Sequence, residues 1–152
     1  MKRALLVFTA LCGLMASVPT FAQDATELLR ADLRANKTAI LTQAMALDAT
    51  QSDVFWPIYR EYEAELIKLN DGALTLIKDY AANYDAMTDA TAKDLMKRGF
   101  KIRESRLSLL KKYSAQVEKK VSPIVAARWT QCEVAIQSAI DLQMASQLPL
   151  MK

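Results

Sequence analysis

The stretch FWPIYREYEAELIKLNDGALTLIKDY, residues 55–80, decides how this chain folds. Phe55, Tyr59, Tyr62, Leu66, Leu69, Ala73, Leu76 and Tyr80 follow one another at steps of 4, 3, 4, 3, 4, 3 and 4. That alternation is a heptad seam, which keeps one line of side chains on one face of an α-helix. Gly72 interrupts it at a cost of about 1 kcal/mol relative to Ala, which a helix so well patterned absorbs.

Just upstream stands a puzzle. Asp48, with Gln51 three residues on, forms a capping pair, so the helix starts at about Ala49 and Pro57 falls inside it. Proline there removes the bond to the Asp53 carbonyl and presses its ring against that turn, so a bend is expected. A start at Asp53, with a separate short turn before it, is the alternative. Both readings angle LDATQ, residues 47–51, away from the long seam.

Outward from the seam the chain reads as further helices. Only three glycines occur in the whole sequence, and strand-type alternation with hairpin turns is absent. Residues 25–47 carry a less regular helical pattern, with Leu28, Leu29, Leu33, Ile40, Leu41 and Met45 on the apolar side. After the seam, YDAMTDATAKDL turns the chain. Thr88 caps a new helix, Asp89 sits in its positive first turn, and Met87 is placed for a staple contact. This third helix runs from about Asp89 to Val121. Ser122 followed by Pro123 opens a fourth, which ends before Pro149. The expected fold is all-α: a long bent antiparallel helical hairpin on the order of 50 Å long at 1.5 Å per residue, with two shorter flanking helices.

The N-terminus carries Lys2 and Arg3, an apolar run from Ala4 to Ala16, and the small-residue site TFA ending at Ala22. This is the layout of a secretory signal peptide, so residues 1–22 are expected to be cleaved after Ala22 and residues 23–152 to form a single helical domain. No stable membrane insertion is expected, because no later apolar segment is long enough to span a bilayer. One cysteine, Cys132, survives processing, which excludes an intrachain disulfide and leaves burial in a helix face or a link to another chain.

Charge is nearly balanced over the mature chain, which argues against a nucleic-acid partner. Its distribution is uneven, with 6 basic and 12 acidic residues over 23–92 against 12 basic and 5 acidic over 93–152. The two halves are complementary. No histidine is present, so Glu-x-x-His di-iron sites, His-Glu-x-x-His zinc sites and Cys-x-x-Cys-His haem attachment cannot be built. Glu61 and Glu65 share a helix face, but no third ligand or activated nucleophile is specified beside them. The expectation is a protein without enzymatic activity, metal or cofactor.

A better candidate is the third helix. Lys93, Lys97 and Lys101 recur at i, i+4 and i+8, Arg98 and Arg106 run along a neighbouring line, and Arg103 lies between. One reading pairs this basic stripe with the acidic second helix; the other makes it an attractive surface for acidic or unfolded partners. Trp56 lies off the Phe55/Tyr59 line and is a candidate to face a partner.

The two helix-start motifs, Leu47, Asp48 and Gln51 in LDATQ and Met87, Thr88 and Asp89 in MTDAT, lie 40 residues apart and each opens a long helix. This resembles the Spy/CpxP-like periplasmic proteins with their repeated Leu-Thr-x-x-Gln motifs, and FWPIYREY and LIKDYAANYD are similar to a proteobacterial branch of that group. The resemblance covers roughly residues 40–130. Asp48 replaces the threonine of the first copy, and Met87 and Thr91 replace the leucine and glutamine of the second. The resemblance implies a curved hairpin that forms a homodimer in the periplasm and works without ATP. It implies one of two roles: a chaperone shielding unfolded envelope proteins in the envelope stress response, or an adaptor restraining the periplasmic domain of a sensor kinase. Zinc-binding relatives use histidines that this chain lacks.

Overall fold

The computed structural model describes residues 36–151. The chain divides after Asn36, and the second unit, from Lys37 on, is helical with no strand among the described residues. The described elements are α1 (residues 36–45), α2 (Ala49–Asn83), a 3-10 turn at Tyr84–Ala86, α3 (Asp89–Lys120) and α4 (Pro123–Gln147). The expected signal peptide and the beginning of the expected first helix lie outside the described residues. Among the described residues, no helix is long and apolar enough to cross a membrane.

The helix starts follow from local chemistry. The Asp48 carboxylate accepts from the Gln51 backbone N–H at 2.8 Å, and the Gln51 side chain accepts from the Asp48 N–H at 3.3 Å. This complete capping box sets the start of α2 at Ala49, so the alternative start at Asp53 does not occur. Thr88 accepts from the Thr91 N–H at 3.2 Å, with Asp89 in the first turn of α3, and Ser122 accepts from the Val125 N–H at 3.2 Å, with Pro123 opening α4. Leu47 is half-buried against the core, and Met87 is half-buried before α3.

Pro57 is now placed. It sits inside α2 between buried Phe55 and buried Ile58, but it is itself exposed, as is Asp53 one turn earlier. The carbonyl deprived of its partner therefore belongs to the exposed side of the helix, which is open to solvent. On the buried side the same interruption would leave an unmatched polar group.

The core gathers Leu41 and Met45 of α1; Phe55, Ile58, Tyr59, Tyr62 and Leu66 of α2; Leu109, Tyr113 and Val117 of α3; and Val125, Ala126 and Trp129 of α4. Only the first half of the heptad seam is sealed. Beyond Leu66, the seam residues Leu69, Ala73, Leu76 and Tyr80 are half-buried. Bulky partners explain the difference, since Trp129 and Tyr113 meet the early aromatics while Leu76 faces Gly99. α1 is closed by Ala46, whose φ of 44° is left-handed, and by Arg128 of α4, whose Nη1 donates to the Met45 carbonyl at 2.6 Å. That contact satisfies an orphan helix-end acceptor and sets a positive charge at the negative end of the helix.

Two substitutions in α2 test this account. Nothing lies within 4 Å of a Cβ built on Gly72, so Gly72→Ala is expected to raise stability by roughly 0.5–1 kcal/mol in urea titrations. Pro57→Ala restores a donor to the Asp53 carbonyl and is expected to stabilise by up to about 3 kcal/mol. A loss of stability instead would mean that packing of Phe55 and Ile58 requires the proline.

Candidate functional site

The most polar feature of the interior is Glu133 of α4, only 4% exposed. The Lys37 ammonium lies 2.9 Å from its Oε2, the Tyr62 hydroxyl donates to Oε2 at 3.0 Å, and Trp129 Nε1 donates to Oε1 at 3.3 Å. Lys37 also stands over the Tyr59 and Tyr62 rings, 5.6 and 5.4 Å from their centroids. Around this sits an aromatic cluster in edge-to-face contact, with Trp129 against Phe55, Tyr59 and Tyr62, and Tyr62 against Tyr113. The carboxylate is thus matched in charge by α1 and in hydrogen bonding by α2 and α4. Such a network fixes the positions of the groups that share it.

Burial pushes the phenols of Tyr62 and Tyr59 well above their ordinary value of 10. For Tyr62 the charge of Glu133 adds to the effect; for Tyr59, Glu63 and then Glu133 do so. At the surface, hydrogen bonds from Lys112 at 2.8 Å and from Tyr113 at 2.9 Å hold the Glu65 carboxyl below the usual range. Glu65 is therefore committed to α3 and not to a pair with Glu61. Among the described residues, no group of three or more Cys, Asp or Glu side chains is placed to hold a metal ion.

The basic stripe of α3 divides into two populations. Arg98 donates to Asp79 of α2 at 2.6 Å and to Asp94 at 3.3 Å, and these carboxylates raise its pKa. Arg106 donates to Asn70 of α2 at 2.7 Å and lies 3.8 Å from Asp141 of α4. Both arginines are interhelical ties, as the reading that pairs the stripe with the second helix expects of them. Lys93, Lys97, Lys101 and Arg103 are exposed and make no ion pair among the described residues. Trp56, a candidate partner residue, is half-buried and packs edge-on against Phe55 and Tyr59 at 5.1 and 5.6 Å between centroids.

Beside the free lysines runs a lane that the charge pattern alone did not reveal. Met96, Phe100 and Leu107 are 56%, 54% and 54% exposed. With Arg103 they follow one another along α3 at steps of 4, 3 and 4, which places them on one face of the helix. The lysine row lies on the flank of that face away from the core residues Leu95, Leu109 and Tyr113. Large apolar side chains thus stand in a row on the surface, bordered by cations that make no ion pair among the described residues. The spacing was visible in the sequence. That α4 leaves the lane uncovered was not.

No protein-family model matches the chain, and no curated protein or solved structure matches it.

Removing one partner of the buried pair leaves a charge unmatched, so Lys37→Met is expected to cost about 3–5 kcal/mol in chemical denaturation. A pH effect follows from the tyrosines. Their pKa values are raised in the folded state, so the stability they confer is complete below about pH 10 and is lost as pH rises past it. Melting temperature is expected to fall between pH 9 and 11, and Tyr62→Phe to make that fall shallower.

Proposed function

We propose that this chain is an exported, ATP-independent chaperone-like protein of the periplasm, acting in envelope stress by holding unfolded or envelope proteins on the outer face of α3. The observation that carries the reading is the exposed lane of Met96, Phe100 and Leu107 beside Lys93, Lys97 and Lys101. Monomeric proteins seldom leave aligned large apolar residues in water without use for them. The lysines attract acidic chains from a distance, and the apolar lane holds what arrives. Neither step needs a nucleotide or a catalytic group, which agrees with the absence of histidine and with a Glu133 already matched by three partners. Export is supported by the charged, apolar and small-residue start of the sequence.

In this reading α2 and α3 form a bent antiparallel hairpin that pairs with a second copy. Support for the hairpin comes from the cross-helix contacts: Glu65 meets Lys112, Asn70 meets Arg106 and Asp79 meets Arg98, so partner numbers fall along α3 as they rise along α2. Support for pairing comes from the half-covered seam beyond Leu66, together with Ile140 and Leu142 exposed on α4. A second chain gives these residues a cover that the described helices do not provide.

The test follows the aggregation of an unfolded client by light scattering. Lys93→Glu, Lys97→Glu and Lys101→Glu together are expected to slow capture several-fold at low salt while leaving the melting temperature nearly unchanged. The gap from wild type should close in high salt, as the Debye length falls from about 10 Å at 0.1 M to about 3 Å at 1 M. Arg98→Ala should do the reverse, lowering the melting temperature and sparing capture. Unaltered capture by both the lysine triple variant and Met96→Glu/Phe100→Glu would remove α3 from the functional surface. Saturable binding of one envelope protein, with no effect on unfolded clients, would replace the chaperone with a regulatory adaptor.

A further inference from the structure

Between α2, α3 and α4 lies a half-open cavity of about 230 Å³, walled by Leu66, Leu107, Leu110 and Val134 and carrying the guanidinium groups of Arg103 and Arg106. Its size narrows what can enter. An apolar cavity of about 150 Å³ accommodates benzene, whereas sites for drug-sized ligands start at about 300 Å³, so this one takes a single ring or a short alkyl chain.

Charge narrows the choice further. Glu133 at the cavity wall is already matched by Lys37. Asp141 accepts from Gln137 at 2.7 Å and stands 3.8 Å from Arg106 Nη1, beyond hydrogen-bond reach. Arg106 spends Nη2 on Asn70, while its buried Nε–H has no hydrogen-bond partner among the described residues. A guanidinium offers five N–H donors, and a buried one left unmatched is costly. Arg106 therefore keeps N–H donors that Asn70 and Asp141 do not use. Arg103, exposed at the same cavity and without an ion pair among the described residues, adds a second positive charge. Leu107 and Val134, on α3 and α4, are both more than half exposed and leave an apolar opening beside these cations.

We infer that this cavity binds a small amphiphilic carboxylate, its tail between Leu107 and Val134 and its head group on Arg103 and Arg106. The tail removes apolar surface from water, and the head group supplies the acceptor that neither Asn70 nor Asp141 provides in full. The site shares Leu107 and Arg103 with the outer face of α3 but reaches inward to Leu66, Leu110 and Val134, and its binding of a carboxylate does not depend on the grip of α3 on unfolded chains.

Calorimetric titration of the full chain with sodium octanoate tests the inference, with 1-octanol as the uncharged probe of the same tail. Saturable binding of one octanoate per chain is expected, with octanol at least about tenfold weaker because it forfeits the charge-assisted hydrogen bonds. Arg103→Ala should weaken octanoate several-fold, and Val134→Trp, which fills the cavity, should abolish binding. Phe100→Glu, outside the cavity, should leave it unchanged. Circular dichroism checks that each variant is helical, and methyl NMR shifts of Val134 on titration locate the site in the unmodified protein if the Trp variant does not fold. The inference is overturned by any of three results: no saturable binding up to about 10 mM, octanol binding as tightly as octanoate, or a folded Val134→Trp protein that binds octanoate like the wild type.

Discussion

One buried carboxylate organises this molecule. Glu133 takes a charge partner from α1, a phenol from α2 and an indole from its own helix, and the aromatic core is arranged around those contacts. A buried charge is intolerable alone, so each donor must be where it is before the others are worth having. Apolar packing by itself would let the helices slide by a turn at modest cost, because leucine-like faces are forgiving. A buried ion pair between Lys37 and Glu133 is not forgiving. It fixes register where heptad spacing alone is degenerate.

The interior and the surface of α3 show how one pattern of charge serves two ends. Arg98 and Arg106 reach across to α2, and the planar guanidinium suits that task by offering several donors at fixed angles. The lysines at 93, 97 and 101 remain in water, where a flexible, strongly hydrated ammonium costs nothing to leave unpaired. The choice between arginine and lysine along this stripe therefore follows the distinction between holding the fold and facing solvent.

Much of the helical architecture was legible in residue order because it rests on interactions three or four positions long. The capping box of Asp48 and Gln51, the Thr88 cap and the Ser122–Pro123 start are such interactions, and each helix begins where its cap lies. Glu133 was missed, although a lone acid within the apolar run PIVAARWTQCEVAIQSAI of α4 was a visible signal. Its partners Tyr62 and Lys37 lie far away in the chain, and no local rule selects them. How deeply the seam is buried was not legible for a different reason. Heptad spacing records which face a side chain occupies, but the depth of its burial depends on what the neighbouring helix places opposite, and beyond Leu66 that cover thins.

The junction of α1 with α4 bears on the order in which the chain assembles. Arg128 holds the Met45 carbonyl across 83 positions of sequence, and Lys37 finds its carboxylate on the same helix. α1 precedes α2 and α3 in the chain, yet its ion pair and the cap on its last carbonyl both come from the last helix, while Lys37 also stands over the Tyr59 and Tyr62 rings of α2. Ala46 meanwhile pays for a left-handed turn that its own side chain does not favour, and the docked state repays the strain. Bringing α1 to α4 closes the longest loop and so carries the largest closure entropy, and a chain lacking α4 would lose both the charge partner of Lys37 and the cap on the Met45 carbonyl. Native-state hydrogen exchange would register this as protection of α1 that rises and falls with that of α4.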